Sequence, residues 1–510
     1  MGEVITPDPV ALNKTAKIKD LGISAGPKKI LARSLGPHVR GVVPPMADSM
    51  DQDTLLKGAE YRFGRGHPAP RAHILAQLRA FVRKFARKHL DPIKLGTVSL
   101  TEYVEQTHYS RKYKDRLLEL ASRMGEDYPI IKVYKSFGKT ERFKDGTKYK
   151  HVRCINPPPD SYKVYAAPYL HAVEKAVCKL KWFAKYIPVI ERPQYIVDNL
   201  GSKPGPYYCT DYTSFESSFS PEVIDAIEGE LYSYMLGEYP ERADFINNWN
   251  SGKHNCRFKQ FSITVDGVRM SGDPNTSLGN GFSNLMLTAF MCYRQGISFE
   301  GLVEGDDGLL VFSGTPDFSE IAQLGFQLKL EAHETIYTTS FCGLMLSQSL
   351  AAFADPRYVI AAFGWSHSPL KDSHFRIRMG LLRSKAISLM YCNPRCPLLT
   401  SLAKRFIFLT RHFTAVKPVG YWENLLYEES QKYSEAMTRE AEKGISMADR
   451  IDFDNMYSIP VNLQVEIEKY FDNMQIEAID NQAVDSIYGD DHWAFRDFSA
   501  KFTGTLKELL

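Results

Sequence analysis

The sequence contains few of the features that mark membrane, secreted or low-complexity proteins. No run of about 18 apolar residues occurs in it, which excludes a membrane-spanning helix of ordinary length. Its eight cysteines stand singly along the chain, a pattern typical of reduced, mostly buried thiols and not of a disulfide framework. Internal repeats and low-complexity tracts are also missing. We therefore expect a soluble intracellular protein, and 510 residues allow about three packed subdomains.

The small net charge of +3 conceals a strong separation of charge along the chain. Residues 71–153 hold 20 basic against 9 acidic side chains, whereas residues 421–510 hold 8 against 19. The first segment therefore has a balance of +11, and this favours a polyanionic partner. A solvated basic helix face would give the same count, so charge alone leaves the partner open.

Residues Arg71 to Leu90 are predicted to form a basic amphipathic helix. Their apolar side chains recur every three or four residues, with arginine and lysine between them. A helix that lies on a membrane surface can have this pattern. The apolar stripe is no broader than a core contact needs, which favours a packed helix with one edge facing nucleic acid.

Other stretches predict a coarse organisation of the chain. Residues 1–70 are rich in proline and glycine and indicate an extended arm. Short strands around a basic loop are predicted over residues 129–165, and mostly helix over residues 166–200. Helical periodicity predicts a mainly helical C-terminal region, in the stretches 378–392, 398–413, 421–443 and 462–478.

Two apolar strands joined by a tight acidic turn are predicted between Leu302 and Phe312. The turn reads Gly-Asp-Asp-Gly, and such a hairpin presents Asp306 and Asp307 at a sheet edge. A solvated hairpin tip also uses aspartate and glycine, so this motif alone is ambiguous. A second predicted strand leads into Asp211. If it lies beside the hairpin, three carboxylates converge where oxygen ligands would hold Mg²⁺.

A third segment runs from Ser271 to Asn280 and leads into an apolar helix that is predicted from Ser277 to Tyr293. The segment reads Ser-Gly-Asp-Pro-Asn-Thr-Ser-Leu-Gly-Asn. A glycine-containing loop capped by serine or threonine can follow a template backbone and place hydroxyl and amide groups at a sugar. An ordinary helix N-cap after a Gly-Asp-Pro turn has the same composition.

In this order and spacing, the three segments resemble motifs A, B and C of the RNA-directed RNA polymerases of positive-strand RNA viruses. The resemblance covers residues 130–345 and looks most like the tombusvirus-like and nodavirus-like groups. It implies an α+β right-hand polymerase of the closed-hand type, with fingers, a palm with an antiparallel β-sheet, and a helical thumb. The implied divisions are an N-terminal arm (1–70), fingers (71–200), palm with motif A (201–221), a fingers insertion (222–264), palm with motifs B to E (265–350), and a helical thumb with the acidic C-terminal region (351–510).

The resemblance also implies the reaction, which is template-directed synthesis of RNA from ribonucleoside triphosphates by a two-metal mechanism. Two Mg²⁺ ions are the implied cofactors, with Mn²⁺ as an alternative. Asp211 and Asp306 are the predicted bridging ligands. Asp307 is predicted to bind one ion or to lie just outside its coordination shell, and all three aspartates are assigned to catalysis.

Several other residues match motifs of the family. Lys132, Lys135 and Arg153 are predicted to neutralise the incoming triphosphate, because cations stabilise the charge that develops on pyrophosphate. Lys329 matches the lysine of the fourth palm motif, which is a proposed general acid for pyrophosphate release. The predicted contacts with template and primer are Gly272, Phe341 and Cys342.

Recognition of the ribose is assigned to four polar residues. Ser271, Thr276 and Asn280 lie in the third segment and are implied to sense the ribose 2′-hydroxyl. They act together with Glu216, which stands five residues after Asp211, where the family commonly has aspartate.

The implied partners are a single-stranded RNA template, the nascent RNA and ribonucleoside triphosphates. Other viral replicase proteins or a second copy of the chain are further expected partners, and no transmembrane span is expected. The expected location is the cytoplasm of the host cell, peripheral to replication membranes.

Two other functions stay open. A reverse transcriptase has a related palm but uses an aromatic gate in place of Glu216 and Tyr-x-Asp-Asp in the hairpin. An RNA-binding scaffold would have a degenerate palm, whereas all three expected carboxylates are present. A phosphate loop at residues 138–140 is excluded because Val133 replaces its first glycine. Cys392 and Cys396 lack the spacing of a standard zinc finger.

Overall fold

The computed structural model of the protein describes most of the chain. The described residues are 3–7, 16–23, 32–40, 42, 47–49, 51–64, 69–125, 128–141 and 151–488. Parts of the predicted arm, the basic loop at 142–150 and the end of the predicted C-terminal region, 489–510, lie outside them. Within the described residues, helices are combined with strands that form five sheets.

The strands of the described chain are short, and the longest have six residues. They are β1 (Glu3–Ile5), β2 (Lys17–Asp20), β3 (Arg33–Ser34), β4 (Tyr134–Lys135), β5 (Phe137–Gly138), β6 (Cys154–Ile155), β7 (Tyr207–Tyr212), β8 (His254–Arg257), β9 (Phe261–Val265), β10 (Phe299–Glu304), β11 (Asp307–Phe312), β12 (Leu328–His333), β13 (Ser340–Phe341), β14 (Leu344–Leu346), β15 (Ala352–Phe353) and β16 (Trp365–Ser366).

The helices are distributed over the whole described chain. They are α1 (Gln52–Phe63), α2 (Ala72–His89), α3 (Leu100–Gln106), α4 (Arg111–Arg123), α5 (Asp160–Val177), α6 (Arg192–Leu200), α7 (Pro221–Ile224), α8 (Glu230–Met235), α9 (Pro240–Ser251), α10 (Thr276–Gln295), α11 (Pro356–Phe363), α12 (Phe375–Cys392), α13 (Leu399–Leu409), α14 (Tyr421–Lys432), α15 (Ser434–Glu442), α16 (Met447–Tyr457), α17 (Val461–Asn473) and α18 (Gln482–Ser486). A π-helical turn, Asp225–Gly229, joins α7 to α8.

The central sheet is antiparallel and has the strand order β1, β12, β7, β11, β10. Successive side chains of a strand point to opposite faces. Val303 and Leu310 therefore join the large core that includes α10, whereas Leu302 and Leu309 pack on the other face with Ile196 of α6. Both faces of β7 and β11 are covered by apolar side chains, whereas one face of β12 carries Lys329, Glu331 and His333.

The first 70 residues, predicted as an extended arm, attach to three different sheets. β1 pairs with β12, β2 pairs with β9, and β3 pairs with β16. This segment also contains α1, which the sequence did not predict. Asp51 caps the start of α1 by accepting a hydrogen bond from the backbone N–H of Thr54 at 2.8 Å. The segment thus connects regions that are far apart in the sequence.

The predicted amphipathic helix is confirmed as α2, with bounds one residue inside the predicted ones. Its apolar face is buried and packs against α8, the π-helical turn and α10. Arg79 and Arg83 form ion pairs with Glu230, and Arg79 also with Asp225. The apolar stripe therefore belongs to the core, which contradicts a helix lying on a membrane. In the described part of the chain, no helix is both long and apolar enough to cross a membrane.

The C-terminal region after β16 is helical, as its periodicity predicts. One predicted stretch, 421–443, is divided into α14 and α15, and α16 lies outside the predicted stretches. Phe353, Leu382, Leu402, Phe406 and Phe453 are central to a second core that is separate from that of the central sheet. This region is thus a distinct packed unit beside the sheet.

All eight cysteines lie in the described chain as free thiols, which confirms the expectation from their spacing. Burial raises the pKa of the Cys392 thiol to about 12, and it raises the pKa of Cys396 as well. Buried thiols of this kind are poor nucleophiles and poor metal ligands at neutral pH.

Candidate active site

Three aspartates lie at one end of the central sheet. Asp211 is near the end of β7, Asp306 lies in the turn between β10 and β11, and Asp307 begins β11. The turn is tight because Gly305 adopts a positive φ of 63°, which glycine accepts without strain. Gly308 pairs with Thr210 in the antiparallel register of β11 and β7. Continuing this register by one residue places Asp307 opposite Asp211, on the same face of the sheet.

The aspartates share one electrostatic environment. Desolvation by the surrounding protein raises the pKa of Asp307 to about 6, and the charges of Asp306 and Asp211 contribute to the increase. The pKa of Asp306 is also raised, first by desolvation and then by Glu216 and Asp211, while Arg153 opposes this effect. Carboxylates that raise one another's pKa form a negative cluster that a bound cation would relieve.

The chemistry of the cluster fits a hard cation such as Mg²⁺, which prefers carboxylate oxygens. In the placed side-chain conformations, however, no three His, Cys, Asp or Glu groups of the described residues are arranged to hold a metal ion. The assignment of two Mg²⁺ ions to Asp211, Asp306 and Asp307 therefore stays a prediction.

Glu216 is the centre of a second polar group beside the aspartates. It lies in a 3-10 turn, Phe215–Ser218, and accepts hydrogen bonds from the Ser271 hydroxyl and, at 3.3 Å, from the Asn280 amide. It also forms an ion pair with Arg62. Burial would raise the pKa of Glu216, but Arg62 and Ser271 hold it below its ordinary value. Glu216 is therefore ionised and fixed in place.

The loop before α10 carries two further predicted residues. The Thr276 hydroxyl donates to the carbonyls of Met270 at 2.9 Å and Asp273 at 2.8 Å, so it stabilises the loop and does not contact Glu216. Gly272 has φ +102°, and a Cβ there would lie 3.0 Å from Ile155 and 3.2 Å from the Asn156 nitrogen. This close approach positions the loop against the segment that follows Arg153.

The predicted triphosphate ligands lie in different surroundings. Arg153 forms an ion pair with Glu141, with Nε 2.6 Å from Oε1, and the charge of Asp306 also raises its pKa. Lys135 is exposed on β4. Lys132 is directed elsewhere, because its ammonium donates to the Trp249 carbonyl and lies 5.3 Å above the indole ring. Burial lowers the pKa of Lys132 to about 8.

Lys329 lies on β12 directly opposite Asp211 in the strand register. Its ammonium is 2.9 Å from the carboxylate of Glu3 on β1 and 3.6 Å from that of Glu331. The hydrogen bond with Glu3 raises the pKa of Lys329. The lysine is therefore protonated, and its ammonium is held by Glu3 of the N-terminal strand and by Glu331.

The turn at Phe341 and Cys342, which is predicted to contact template and primer, lies beside the acidic cluster. Phe341 is buried at the end of β13. Cys342 follows with a positive φ of 53°, and its thiol acts against the increase in the pKa of Asp307. Burial strongly raises the pKa of this thiol. The structure therefore brings Cys342, but not the Phe341 side chain, to the carboxylates.

Sequence reasoning did not find Arg62 and Glu3. Both belong to the first 70 residues, and each reaches a partner more than 100 positions away. A third missed feature is the buried ion pair of Arg269 with Glu228, which also accepts from Asn275 at 3.1 Å beneath the loop. No local pattern marks these residues, because their roles come only from contacts made in the folded chain.

The site belongs to a chain of known class. Residues 66–478 match the family model of viral RNA-dependent RNA polymerases, and the chain therefore belongs to that family. This confirms the resemblance that the motifs predict. Membership implies the right-hand polymerase fold, with which the observed mixture of helix and sheet is consistent.

Similar proteins include replication enzymes of plant viruses. The chain is 29% identical over 192 residues to the RNA-directed RNA polymerase of Panicum mosaic virus, and 30% identical over 190 residues to that of Maize chlorotic mottle virus. Each match covers 35% of this chain and 19% of the relative. The replicase polyprotein 1ab of Beet yellows virus is 25% identical over 177 residues, which cover 32% of this chain and 5% of the polyprotein. The chain thus matches about a fifth of the length of the first two relatives.

Proposed function

We propose that this chain is the catalytic subunit of a viral replicase and synthesises RNA on an RNA template from ribonucleoside triphosphates. The proposal is carried by the grouping of Asp211, Asp306 and Asp307 at one end of the sheet, beside Arg153 and Glu216. Family membership supports the same reaction.

In this proposal the central sheet is the palm, and the helical region after it is the thumb. Residues 71–200 and 222–264 supply the fingers, and residues 1–70 are the N-terminal arm. In this arrangement the template and the nascent RNA would lie over the end of the sheet where the aspartates lie. The sheet supports the site because β7 and β11, which carry Asp211 and Asp307, are packed on both faces.

Asp211, Asp306 and Asp307 would hold two Mg²⁺ ions, with Mn²⁺ as an alternative. Two such ions, when bound, activate the 3′-hydroxyl of the growing strand and stabilise the pyrophosphate that leaves. The aspartates are suited to this role because their mutual repulsion favours cation binding.

Other side chains position the nucleotide and move protons. Arg153 neutralises the triphosphate, and Lys135 is accessible for the same purpose. Lys132 stabilises the segment before β4, because its ammonium donates a hydrogen bond to the Trp249 carbonyl. Lys329 donates a proton to the departing pyrophosphate, since Glu3 keeps its ammonium protonated.

The proposed partners are single-stranded RNA, the nascent strand and ribonucleoside triphosphates. Other viral replicase proteins or a second copy of this chain are further candidates. The proposed location is the host cytoplasm, at the periphery of replication membranes.

Primer extension by the purified chain tests this function. Wild-type chain with Mg²⁺, an RNA template and a labelled primer is compared with Asp306→Asn, which keeps the shape of the side chain but removes its charge. We expect the rate to fall by more than about a hundredfold, since the loss of a residue outside a ligand set already costs up to that factor. Asp472→Asn, an exposed substitution on α17, is the matched control and is expected to act like wild type.

The same assay separates the alternatives. Wild-type activity in Asp306→Asn would refute the assignment of the site. Efficient extension with deoxynucleotides would indicate a reverse transcriptase. RNA binding without extension under any condition would indicate a scaffold.

A further inference from the structure

Arg62 lies partly buried beside the group assigned to ribose recognition, although it comes from α1 in the N-terminal segment. Its guanidinium forms an ion pair with the Glu216 carboxylate, and the side chains of the two residues are only 16% and 18% exposed. The same Nη1 atom lies 3.4 Å from the Ser271 hydroxyl, which itself donates to Glu216. Arg62 therefore contacts two members of the recognition group at once.

The position of Arg62 is fixed by the packing of α1. The neighbouring Tyr61 hydroxyl is 3.2 Å from that of Ser214, which precedes the 3-10 turn carrying Glu216. The Tyr61 ring stacks on His151 with 4.3 Å between ring centroids. Gly58 lies against Val152 so closely that a Cβ would meet its side chain at 2.4 Å. Helix α1 is thus held by contacts with Ser214, near Glu216, and with His151 and Val152, near Arg153.

One hydrogen-bonding atom of the recognition group is left without a partner. The Asn280 amide nitrogen donates to Glu216, whereas its Oδ1 atom is buried and has no hydrogen-bond partner among the described residues. Buried polar atoms are nearly always paired. An acceptor left open in this way is suited to a hydroxyl donor supplied by a ligand.

We infer that Arg62 is a positioning residue for ribose selection, which it exerts by holding the Glu216 carboxylate against Ser271 and Asn280. Glutamate has one methylene more than the aspartate common in the family, so its carboxylate can move farther unless a partner restrains it. A guanidinium is suited to restrain a carboxylate, because it is always charged and its planar donors have fixed directions, and here Nη1 contacts both Glu216 and Ser271. This inference rests on the proposed function and adds the residue that sets its sugar specificity.

The test compares incorporation of ATP and 2′-deoxyATP opposite the same template base, with kcat and KM measured for each. Arg62→Met removes the charge and its hydrogen bonds but keeps an unbranched side chain. We expect the ratio of kcat/KM for ATP to that for 2′-deoxyATP to fall about tenfold, the effect of losing one hydrogen bond to a charged group. Arg62→Lys retains the charge without the fork and is expected to give an intermediate ratio.

Arg40→Met is the matched control, since Arg40 belongs to the same segment but forms an exposed ion pair with Asp480. Its ratio is expected to equal that of wild type. An equal loss for both nucleotides in Arg62→Met would overturn the inference, because it would indicate a structural role or a contact with the triphosphate. If Arg62→Met is inactive with both nucleotides, the test uses Arg62→Lys instead. A ratio of kcat/KM for ATP to that for 2′-deoxyATP equal to the wild-type ratio would then overturn the inference.

A double substitution tests whether Arg62 acts through Glu216. Glu216→Gln alone is expected to lower the ratio, and adding Arg62→Met should change it little further. Additive effects would contradict the inference. If the wild-type chain incorporates no ribonucleotide at all, the proposed function fails first. Ribonucleotide incorporation with an unchanged ratio in the Arg62 variants refutes only the role of Arg62.

Discussion

A single buried carboxyl group, that of Asp273, is expected to make the stability of the fold depend on pH. This carboxyl accepts a hydrogen bond from the Tyr134 hydroxyl at 2.9 Å, and the residue is buried in the loop before α10. Burial raises the pKa of Asp273 to about 7, although Tyr134, Lys132 and Arg269 act in the opposite direction. Glu228 adds to the increase. The neutral acid is therefore the form that fits the fold.

The raised pKa predicts a specific change of stability with pH. The pKa of Asp273 is near 4 in the unfolded chain and about 7 in the folded one. Its contribution to the free energy of unfolding is therefore fully present below pH 4 and decreases as the pH rises towards 7, by about a few kcal/mol. Asp273→Asn removes this decrease, so its stability relative to wild type should increase from pH 5 to pH 8. Urea unfolding at each pH measures it, and parallel curves would refute the prediction.

Gly272 is a second residue whose identity the structure requires. Its φ is +102°, and a Cβ would contact Ile155 at 3.0 Å and the Asn156 nitrogen at 3.2 Å, closer than side chains normally pack. We expect Gly272→Ala to lower the free energy of unfolding by about 1–3 kcal/mol and to slow RNA synthesis. Gly96→Ala is the matched control, since Gly96 also has a positive φ, of 79°, but no atom within 4 Å. Thermal unfolding of both variants separates backbone strain from contact, and equal losses would contradict a role of the contact.

Among the elements, α2 has an apolar face for which the sequence allowed two environments, a membrane surface or the protein core. The structure places this face in the core, where Leu78 is fully buried. Leu78→Ala is therefore expected to lower the free energy of unfolding by about 2–5 kcal/mol. Leu95→Ala, on a residue that is 69% exposed, should change it by less than about 0.5 kcal/mol. Denaturant unfolding tests this, and a small effect of Leu78→Ala would favour the membrane alternative.

Elements with strong local patterns could be predicted from the sequence. The hairpin of β10 and β11, the helix α10 and the C-terminal helices follow from apolar periodicity and turn residues. α1 was missed because its apolar residues are sparse and it lies in a segment rich in proline and glycine. The strands β1 and β3 were missed because two or three residues carry no periodicity of their own.

At the scale of the whole molecule, the N-terminal segment joins parts that no local signal connects. It adds strands to three sheets, places Glu3 at Lys329 and places Arg62 at Glu216. The resemblance implied that Glu216, Ser271, Thr276 and Asn280 form one group. Ser271 and Asn280 contact Glu216, whereas the Thr276 hydroxyl bonds to carbonyls of its own loop. The partner that restrains the group could not be predicted, because an ion pair across 154 positions is determined only by the folded chain.

We propose that β7 and the β10–β11 turn together form one catalytic centre. The most direct measurement is the rate of labelled ribonucleotide incorporation by Asp211→Asn on a single-stranded RNA template, with and without a primer. Its RNA affinity is measured in parallel. The account predicts that wild-type chain gives template-length product, whereas Asp211→Asn gives none while it binds RNA with wild-type affinity. Synthesis by Asp211→Asn at the wild-type rate would contradict the account.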